Sequence, residues 1–246
     1  MNTQRILALL KMELYKIFRE PAFLFLMLLF PAVLTITFGF AFGDPELGMA
    51  FNLMVPGLFA YACIFIIMTV AQSFADFREQ GLLRRLNTTP MSSTDFMLSN
   101  ILSNMIISML QVVIVFVLAL FLGFRSNSDI VGILLAFLLM ALFSLSSVGL
   151  GLITASVSKS AGTATGISFI FILPQMFFGT FIPITDTTRP IAMFLPSYYA
   201  TDALTSIFSG ASLTSANILI DFAFISIVSI AIVIIGILLF KKSGNK

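Results

Sequence analysis

Six long apolar stretches, separated by short polar segments, dominate the hydrophobic pattern along the chain. Each has about 20 residues or more, the length that an α-helix needs to cross roughly 30 Å of hydrocarbon. None shows the alternation typical of a strand, and a helix satisfies its own backbone hydrogen bonds within lipid. The pattern therefore predicts an all-α integral membrane fold, a single transmembrane domain over residues 1–246, with six transmembrane helices at about residues 22–42, 53–75, 97–122, 130–157, 162–181 and 218–240.

Composition agrees with this interpretation. Apolar residues make up 59% of the 246 residues and charged residues 10%, against about 25% charged in an ordinary soluble domain. The chain has no His, which excludes His-dependent metal sites and Ser-His or Cys-His catalysis within it. The first apolar run, near Ala22, is longer than the 7–15 residues of a cleavable signal sequence, so we expect it to be retained.

The thirteen Lys and Arg residues predict the orientation. With six spans, eleven of them lie on the side that carries both ends of the chain, and Arg125 and Arg189 lie on the other side. Because cytoplasmic segments of membrane proteins are enriched in Lys and Arg, we predict that both termini are cytoplasmic. The expected location is the plasma or inner membrane of the cell, and an odd number of spans would break the charge pattern.

Residues 3–20 have the apolar spacing of an amphipathic helix. Its predicted apolar face consists of Ile6, Leu7, Leu10, Leu14, Ile17 and Phe18. Its cations are Arg5, Lys16 and Arg19 on the opposite face and Lys11 at the flank. Such a helix is expected to lie in the membrane interface with its cations near anionic headgroups. An alternative is that its polar face also contacts a cytoplasmic partner.

The cytoplasmic segment 76–96, between predicted spans two and three, favours a short helix from Glu79 to Leu86, which Pro90 ends. A short amphipathic helix held between two spans can act as a lever, because a force on it moves both spans together. The alternative is an ordinary solvated loop whose arginines serve only the charge asymmetry of the membrane.

The outer segment 182–217, between predicted spans five and six, is too long for a tight turn and is interrupted by prolines. We predict two short re-entrant or interfacial helices there. They form either a cap that only packs the bundle or an outer gate. The candidate residues of this gate region are Pro183, Pro196, Tyr198, Tyr199 and Asp202.

Polar residues inside the spans have two interpretations. They form hydrogen bonds between helices, or they line a path for a substrate; Gln111 and Gln175 are the candidates for such a lining. In the same region, Gly162 and Gly166 match the small-xxx-small pattern of closely packed membrane helices.

The segment 76–96 also carries a pattern that resembles the first cytoplasmic loop of the ABC-2 type transporter permeases: Glu79-x-Gly81-x-x-x-x-Leu86-x-x-x-Pro90. Two further regions are similar, and with the topology they cover nearly the whole chain. The first is Pro56-Gly57 in span two. The second contains Pro174, Gly179, Pro183, Leu195-Pro196, Tyr198-Tyr199 and Asp202-Ala203-Leu204.

The resemblance implies the membrane subunit of an ATP-driven exporter of drugs, lipids, polysaccharides or other solutes. The Phe- and Met-rich spans suit a hydrophobic or amphipathic substrate, and they suit lipid contact and helix packing equally well. The resemblance also implies that residues 3–20 are the interface helix and that the lever is the coupling helix, which docks on an ATPase subunit. The docking residues would be Arg78, Glu79, Gly81, Leu82, Leu83, Arg84, Arg85 and Leu86.

The chain has no Gly-x-x-x-x-Gly-Lys-Ser/Thr phosphate-binding loop. We therefore expect no cofactor in this chain and a separate ATPase subunit that binds ATP and Mg²⁺. Six spans are few for a closed path, which favours a dimer of membrane subunits. The alternative is a non-ABC membrane channel or an assembly scaffold. A secondary transporter or an intramembrane enzyme is disfavoured because the spans hold almost no ionisable groups.

Overall fold

The computed structural model describes residues 3–42, 51–81, 93–181 and 185–244, and every regular element in these ranges is helical. In chain order, the elements are α1 (Thr3–Arg19), α2 (Pro21–Phe42), α3 (Phe51–Ile64), α4 (Ile66–Glu79), α5 (Ser93–Phe121), α6 (Ile130–Val157), α7 (Ala161–Met176), a π-helical turn (Phe177–Phe181), α8 (Arg189–Ala192), α9 (Pro196–Phe208) and α10 (Ala216–Gly244).

Five helical segments are long and apolar enough to cross a membrane. They are Phe51–Glu79, which consists of α3 followed by α4, and then Thr94–Phe121, Ile130–Val157, Ala161–Thr180 and Ala216–Lys242. Within α2, the stretch Met27–Phe42 is a shorter apolar helix. The described residues thus show an all-helical multi-pass membrane protein with five candidate spans and one shorter apolar helix, where the sequence predicts six spans.

Local chemistry sets where several helices begin. The Asp129 carboxylate accepts a hydrogen bond from the Gly132 N–H at 2.8 Å and caps α6. The Ser160 hydroxyl accepts one from the Thr163 N–H at 3.3 Å and caps α7. Later in α7, Pro174 removes a backbone donor, and the π-helical turn follows directly.

The centre of the bundle is α6, which packs against α4, α5, α9 and α10. Glycines allow the closest of these approaches. A Cβ atom on Gly151 would lie 2.7 Å from the Val70 Cβ atom in α4, and one on Gly149 would lie 2.8 Å from the Val233 nitrogen in α10. The small-xxx-small pattern of Gly162 and Gly166 does not form such a close approach, because no atom lies within 4 Å of a Cβ placed on either glycine. Within the described chain, that match is therefore not a close helix contact.

Candidate functional site

The segment predicted to form a cytoplasmic lever does not begin as a separate helix at Glu79. Arg78 and Glu79 form the last turn of α4, and Gly81 ends that helix with a φ of 66° and an N–H donated to the Arg78 carbonyl at 3.0 Å. A glycine in this left-handed conformation is a common helix stop. A single helix from Glu79 to Leu86 is therefore wrong at its start. The remaining predicted docking residues, Leu82, Leu83, Arg84, Arg85 and Leu86, lie outside the described residues.

Four phenylalanines tie the end of α4 to its neighbours. The Phe77 ring lies 5.7 Å from Phe74 within α4 and 5.2 Å from Phe96 in α5, and the Phe74 ring lies 5.0 Å from Phe240 in α10. All three contacts are edge-to-face, a favourable geometry for aromatic pairs. All four side chains are buried. The end of α4 is therefore held to both α5 and α10 by close-packed rings.

Two polar contacts reinforce the same end. The Arg78 guanidinium donates a hydrogen bond to the Ser156 carbonyl in α6 at 3.2 Å. The Lys241 ammonium near the end of α10 donates one to the Thr94 hydroxyl at the start of α5 at 2.9 Å. The bases at this end therefore connect helices, in addition to contributing positive charge.

The N-terminal helix α1 packs against α5 and α2. Leu9 is buried, and Ile6, Leu10, Leu14 and Ile17 are half-buried. Most of the predicted apolar face is thus covered by protein. Leu7 and Phe18, at one edge of that face, are 58% and 57% exposed. These two residues do not belong to the packed face, because the contact with α5 is centred on the other edge of the stripe.

The side of α1 that faces away from the helix bundle carries an open groove of about 510 Å³, lined by Met12, Tyr15, Lys16, Arg19 and Glu20. The other predicted cations of this helix, Arg5 and Lys11, are also exposed, and the Lys11 ammonium lies 5.8 Å from the centre of the Tyr15 ring. This side combines cations with exposed aromatic surface. Such a composition suits either lipid headgroups or a docking partner.

Behind α1, a second and more enclosed cavity of about 340 Å³ lies between α1, α2, α4 and α5. Its polar walls are Glu13 and Lys16 from α1, Gln72, Ser73 and Asp76 from α4, and Asn100, Ser103 and Asn104 from α5. Glu20 lies at the edge, and Met27 of α2 and Ile107 of α5 are its apolar neighbours. The grouping of these residues around one cavity is not among the predictions made from the sequence.

Glu13 is the most deeply placed acid of this cavity, with 7% of its surface exposed. Burial raises the pKa of its carboxyl, against the opposing effects of the Lys16 charge and a hydrogen bond from Asn100. The sequence holds one sign of this site: Glu13 lies at i+4 from Leu9 and i−4 from Ile17, within an apolar stripe. An acid at such a position needs a polar partner across the helix interface.

The two glutamines predicted to line a path lie in separate places. The Gln111 amide on α5 donates to the Met27 carbonyl of α2 at 3.1 Å, while its oxygen has no hydrogen-bond partner in the described chain. Gln175, on α7, is 2% exposed, and neither atom of its amide has a partner among the described residues. The first therefore fits the helix–helix interpretation, and the second is a buried polar group left unsatisfied.

The described part of the predicted outer segment folds into α8 and α9. Ala200, Ala203, Leu204, Ile207 and Phe208 of α9 are buried against the bundle. Tyr199 stacks on Phe224 of α10 with ring centres 3.7 Å apart and donates its hydroxyl hydrogen to the Met193 carbonyl at 3.1 Å. Pro196 begins α9 and is buried, Tyr198 is half-buried and Asp202 is exposed, whereas Pro183 lies outside the described residues.

Residues of the two remaining sequence patterns meet at this end. A Cβ on Gly57 of α3 would lie 2.8 Å from the Thr180 carbonyl oxygen in the π-helical turn. A Cβ on Gly179 would overlap the Ser197 hydroxyl of α9, which donates to the Gln175 carbonyl at 3.1 Å. The Pro56-Gly57 pattern, the π-helical turn and the start of α9 therefore form one contact that requires glycine.

Comparison with known proteins gives the family directly. No curated protein matches the chain significantly. The family profile described as "ABC-2 type transporter" matches residues 4–209, well over half of the chain. This match runs from α1 through α9, so it includes both the contacts at the end of α4 and the contact between α3, the π-helical turn and α9. The chain therefore belongs to the ABC-2 type transporter family and is the membrane permease subunit of such a transporter.

Proposed function

We propose that this permease works as an exporter that moves a hydrophobic or amphipathic substrate outward, driven by a separate ATPase subunit. The family implies a partner ATPase, because ABC-2 membrane domains typically lack an ATPase site of their own. In this proposal the chain has six spans, with α2 as the first, and both termini are cytoplasmic. The distribution of eleven of thirteen basic residues supports that orientation.

The observation that carries the coupling proposal is the aromatic cluster of Phe74, Phe77, Phe96 and Phe240. It joins α4, α5 and α10 where the chain enters the segment 82–92 and leaves it again. An ATPase that pushes on this segment acts on the two helices that flank it. The buried rings then carry the displacement into α10 as well. The ATPase closes on binding ATP, and the spans shift so that the path opens outward.

The exposed surface of α7 supports a second part of the proposal, a dimer of membrane subunits. The candidate span in α7 and the π-helical turn is mostly exposed, and its exposed residues include Gly162, Gly166 and Ile170. Gln175 lies on the same helix with an unsatisfied amide, which costs about 1–3 kcal/mol when it is buried. Because the side chain is 2% exposed, a second subunit or a substrate removes part of this cost only when a shift of α7 uncovers the amide. In the proposed dimer, Gln175 lines the substrate path.

The docking role is tested with the Leu86→Asp variant, assayed as a complex with its ATPase in liposomes. A charge on the predicted apolar docking face is expected to lower ATP-dependent transport at least tenfold, roughly the effect of losing 1.4 kcal/mol of coupling. The matched control is Thr185→Asp, which adds the same charge in the exposed outer segment. Unchanged coupling in Leu86→Asp would count against the docking role.

The competing function, a channel or an assembly scaffold, predicts a different result. A channel conducts in liposomes that contain the membrane subunit alone, and a scaffold gives no flux with or without an ATPase. We expect flux that requires both the ATPase and ATP. Cysteine labels at positions 86 and 185 with a membrane-impermeant reagent test the orientation independently, and labelling of position 86 from outside intact cells would overturn it.

A further inference from the structure

The cavity behind α1 is lined by more acidic than basic side chains. Its lining includes the carboxylates of Glu13, Glu20 and Asp76, and among the described residues that line it Lys16 is the one base. Glu13 is 7% exposed and Asp76 is half-buried, so these charges are partly removed from water. The lining therefore carries an excess of negative charge in a region of reduced dielectric, where an added cation is attracted more strongly than at an open surface.

The amides of the cavity increase this bias. Asn100 donates to the Phe96 carbonyl at 3.2 Å, Asn104 donates to the Asn100 carbonyl at 2.8 Å, and Gln72 donates to the Thr165 hydroxyl at 2.6 Å. Each of these side chains has thus used donor capacity on its own helix or on α7. Each amide has two N–H donors, of which this bond uses one, and Asn100 also donates to Glu13. Each therefore keeps its acceptor oxygen and at most one donor for a ligand. A molecule that donates hydrogen bonds fits such walls.

Lys16 acts as a tethered cation at the same place. Its ammonium lies 5.5 Å from the centre of the Phe77 ring, and its charge acts on the Glu13 carboxyl. Phe77 also lines the cavity. An aromatic face beside carboxylates is a favourable setting for an ammonium group. The chain therefore holds one of its own ammonium groups where a ligand's ammonium group would be bound.

Size and polarity narrow the class of ligand. A volume of about 340 Å³ has room for roughly ten water molecules and lies at the small end of ligand pockets. Along α4 and α5, the acid Asp76 is nearer the helix ends at the cytoplasmic side, and Ile107 is deeper in the bundle. In the described chain no three carboxylates converge closely enough to hold a metal ion. A small amine with an apolar part fits better than a bare divalent cation.

We propose that the cavity between α1, α4 and α5 binds a small organic ammonium ion, whose charged group lies among the Glu13 and Asp76 carboxylates and whose apolar part faces Ile107. Binding itself does not depend on the exporter mechanism. The entry of this ligand from the cytoplasm rests on the orientation proposed above. If the proposed function holds, amines of this kind are candidate substrates or regulators of transport.

The test uses the full chain in a non-ionic detergent and the probe 4-fluorobenzylammonium, with binding followed by ¹⁹F line broadening. The neutral analogue 4-fluorobenzyl alcohol measures partition into detergent and apolar surface. We expect the ammonium probe to bind with a Kd of about 1 mM or tighter, and the alcohol to bind at least tenfold more weakly. Equal binding of the two probes would overturn the proposal.

Two variants of α1 should change the affinity in opposite directions. Glu13→Gln removes the buried carboxylate and is expected to weaken binding of the ammonium probe roughly tenfold. Lys16→Gln removes the competing cation and is expected to tighten it roughly threefold. The matched controls are Asp186→Asn and Lys159→Gln, which remove the same charges from exposed positions outside the cavity and should leave binding unchanged.

A second acid keeps the test decisive if Glu13→Gln fails to fold. Asp76→Asn removes the charge that α4 contributes to the cavity and should also weaken binding several-fold. Unchanged binding in the folded members of this pair would overturn the proposal. Because the measurement uses no ATPase, a transport assay that fails while the probe binds would contradict the exporter function and leave the binding site intact.

Discussion

At the end of the bundle that is predicted to face outward, called here the outer end, Phe59, Phe124 and Phe208 fill the space between α3, α9 and the loop after α5. At the opposite end, called the inner end, α1, α4 and α5 enclose a polar cavity of about 340 Å³. The Phe208 ring lies 5.4 Å from Phe59 and 5.2 Å from Phe124, in edge-to-face contacts. The outer end is thus close-packed, while the inner end is hollow and charged. A close-packed region transmits strain, and a hollow region leaves room for a side chain or a ligand to move.

The largest effect is expected from opening the outer end. Phe208→Ala should lower the free energy of unfolding by about 3–5 kcal/mol, because it leaves a cavity that the neighbouring Phe59 and Phe124 rings do not fill. Thermal unfolding of the purified chain in detergent measures this. Phe194→Ala is the control, since that ring is 86% exposed and its loss should change stability by less than about 0.5 kcal/mol. Equal effects of the two variants would show that the outer end is not packed as described.

The next largest effect is expected at the close contact between α6 and α4. Gly151→Ala places a methyl group 2.7 Å from Val70 and should cost about 1–3 kcal/mol of unfolding free energy. Gly166→Ala meets no atom within 4 Å and should stabilise α7 by about 0.5–1 kcal/mol. The same unfolding measurement compares them. A stabilising Gly151→Ala would contradict the close contact between α6 and α4.

A smaller effect distinguishes the two buried glutamines. Gln175→Leu removes an unsatisfied amide and should raise the free energy of unfolding by about 1 kcal/mol, while it lowers transport if this residue lines the path. Gln111→Leu removes a hydrogen bond to the Met27 carbonyl and should lower stability by about 0.5–1.5 kcal/mol. Opposite signs are therefore expected from the same substitution. Destabilisation by Gln175→Leu would mean that its amide has a partner.

The smallest expected effect is a pH dependence at the hollow end. Because burial raises the pKa of Glu13 above its ordinary 4.5, the folded chain holds this proton more tightly than the unfolded chain. The contribution of Glu13 to stability is therefore largest at low pH and falls as the pH rises from about 4.5 through the raised pKa. Glu13→Gln should remove this fall from unfolding midpoints measured between pH 4 and 8. The same fall in the variant would assign it to other groups.

The sequence predicted the helices best where apolar runs are bounded by polar groups. The predicted run 130–157 coincides with α6, since Asp129 caps its start and the polar Ser158 and Lys159 follow its end. It also predicted helical structure at the N-terminus and two short helices in the outer segment. The predicted run 22–42 likewise falls within α2, although the apolar stretch described there, Met27–Phe42, is shorter than a full span.

The contacts between helices could not be predicted from the sequence as the helices themselves were. The conformation of Gly81 decided that α4 extends to Glu79, and a sequence pattern does not fix a φ angle at a loop boundary. The glycines at 162 and 166 matched a packing pattern, while the close contacts formed at Gly149 and Gly151, because the choice depends on which face of each helix meets a neighbour. Glu13 was missed for the same reason: the cavity exists only once α1 lies against α5.

The length of α10 has a consequence for the membrane in which the protein works. Its 29 residues measure about 43 Å, whereas the hydrocarbon core of a bilayer is roughly 30 Å thick. The surplus is accommodated by tilt or by emergence of the end that carries Lys241 and Lys242. Since α10 contacts both α6 and α9, a thinner bilayer would incline the helices at each end of the bundle. Lipid chain length therefore becomes a variable that sets the resting shape of this permease.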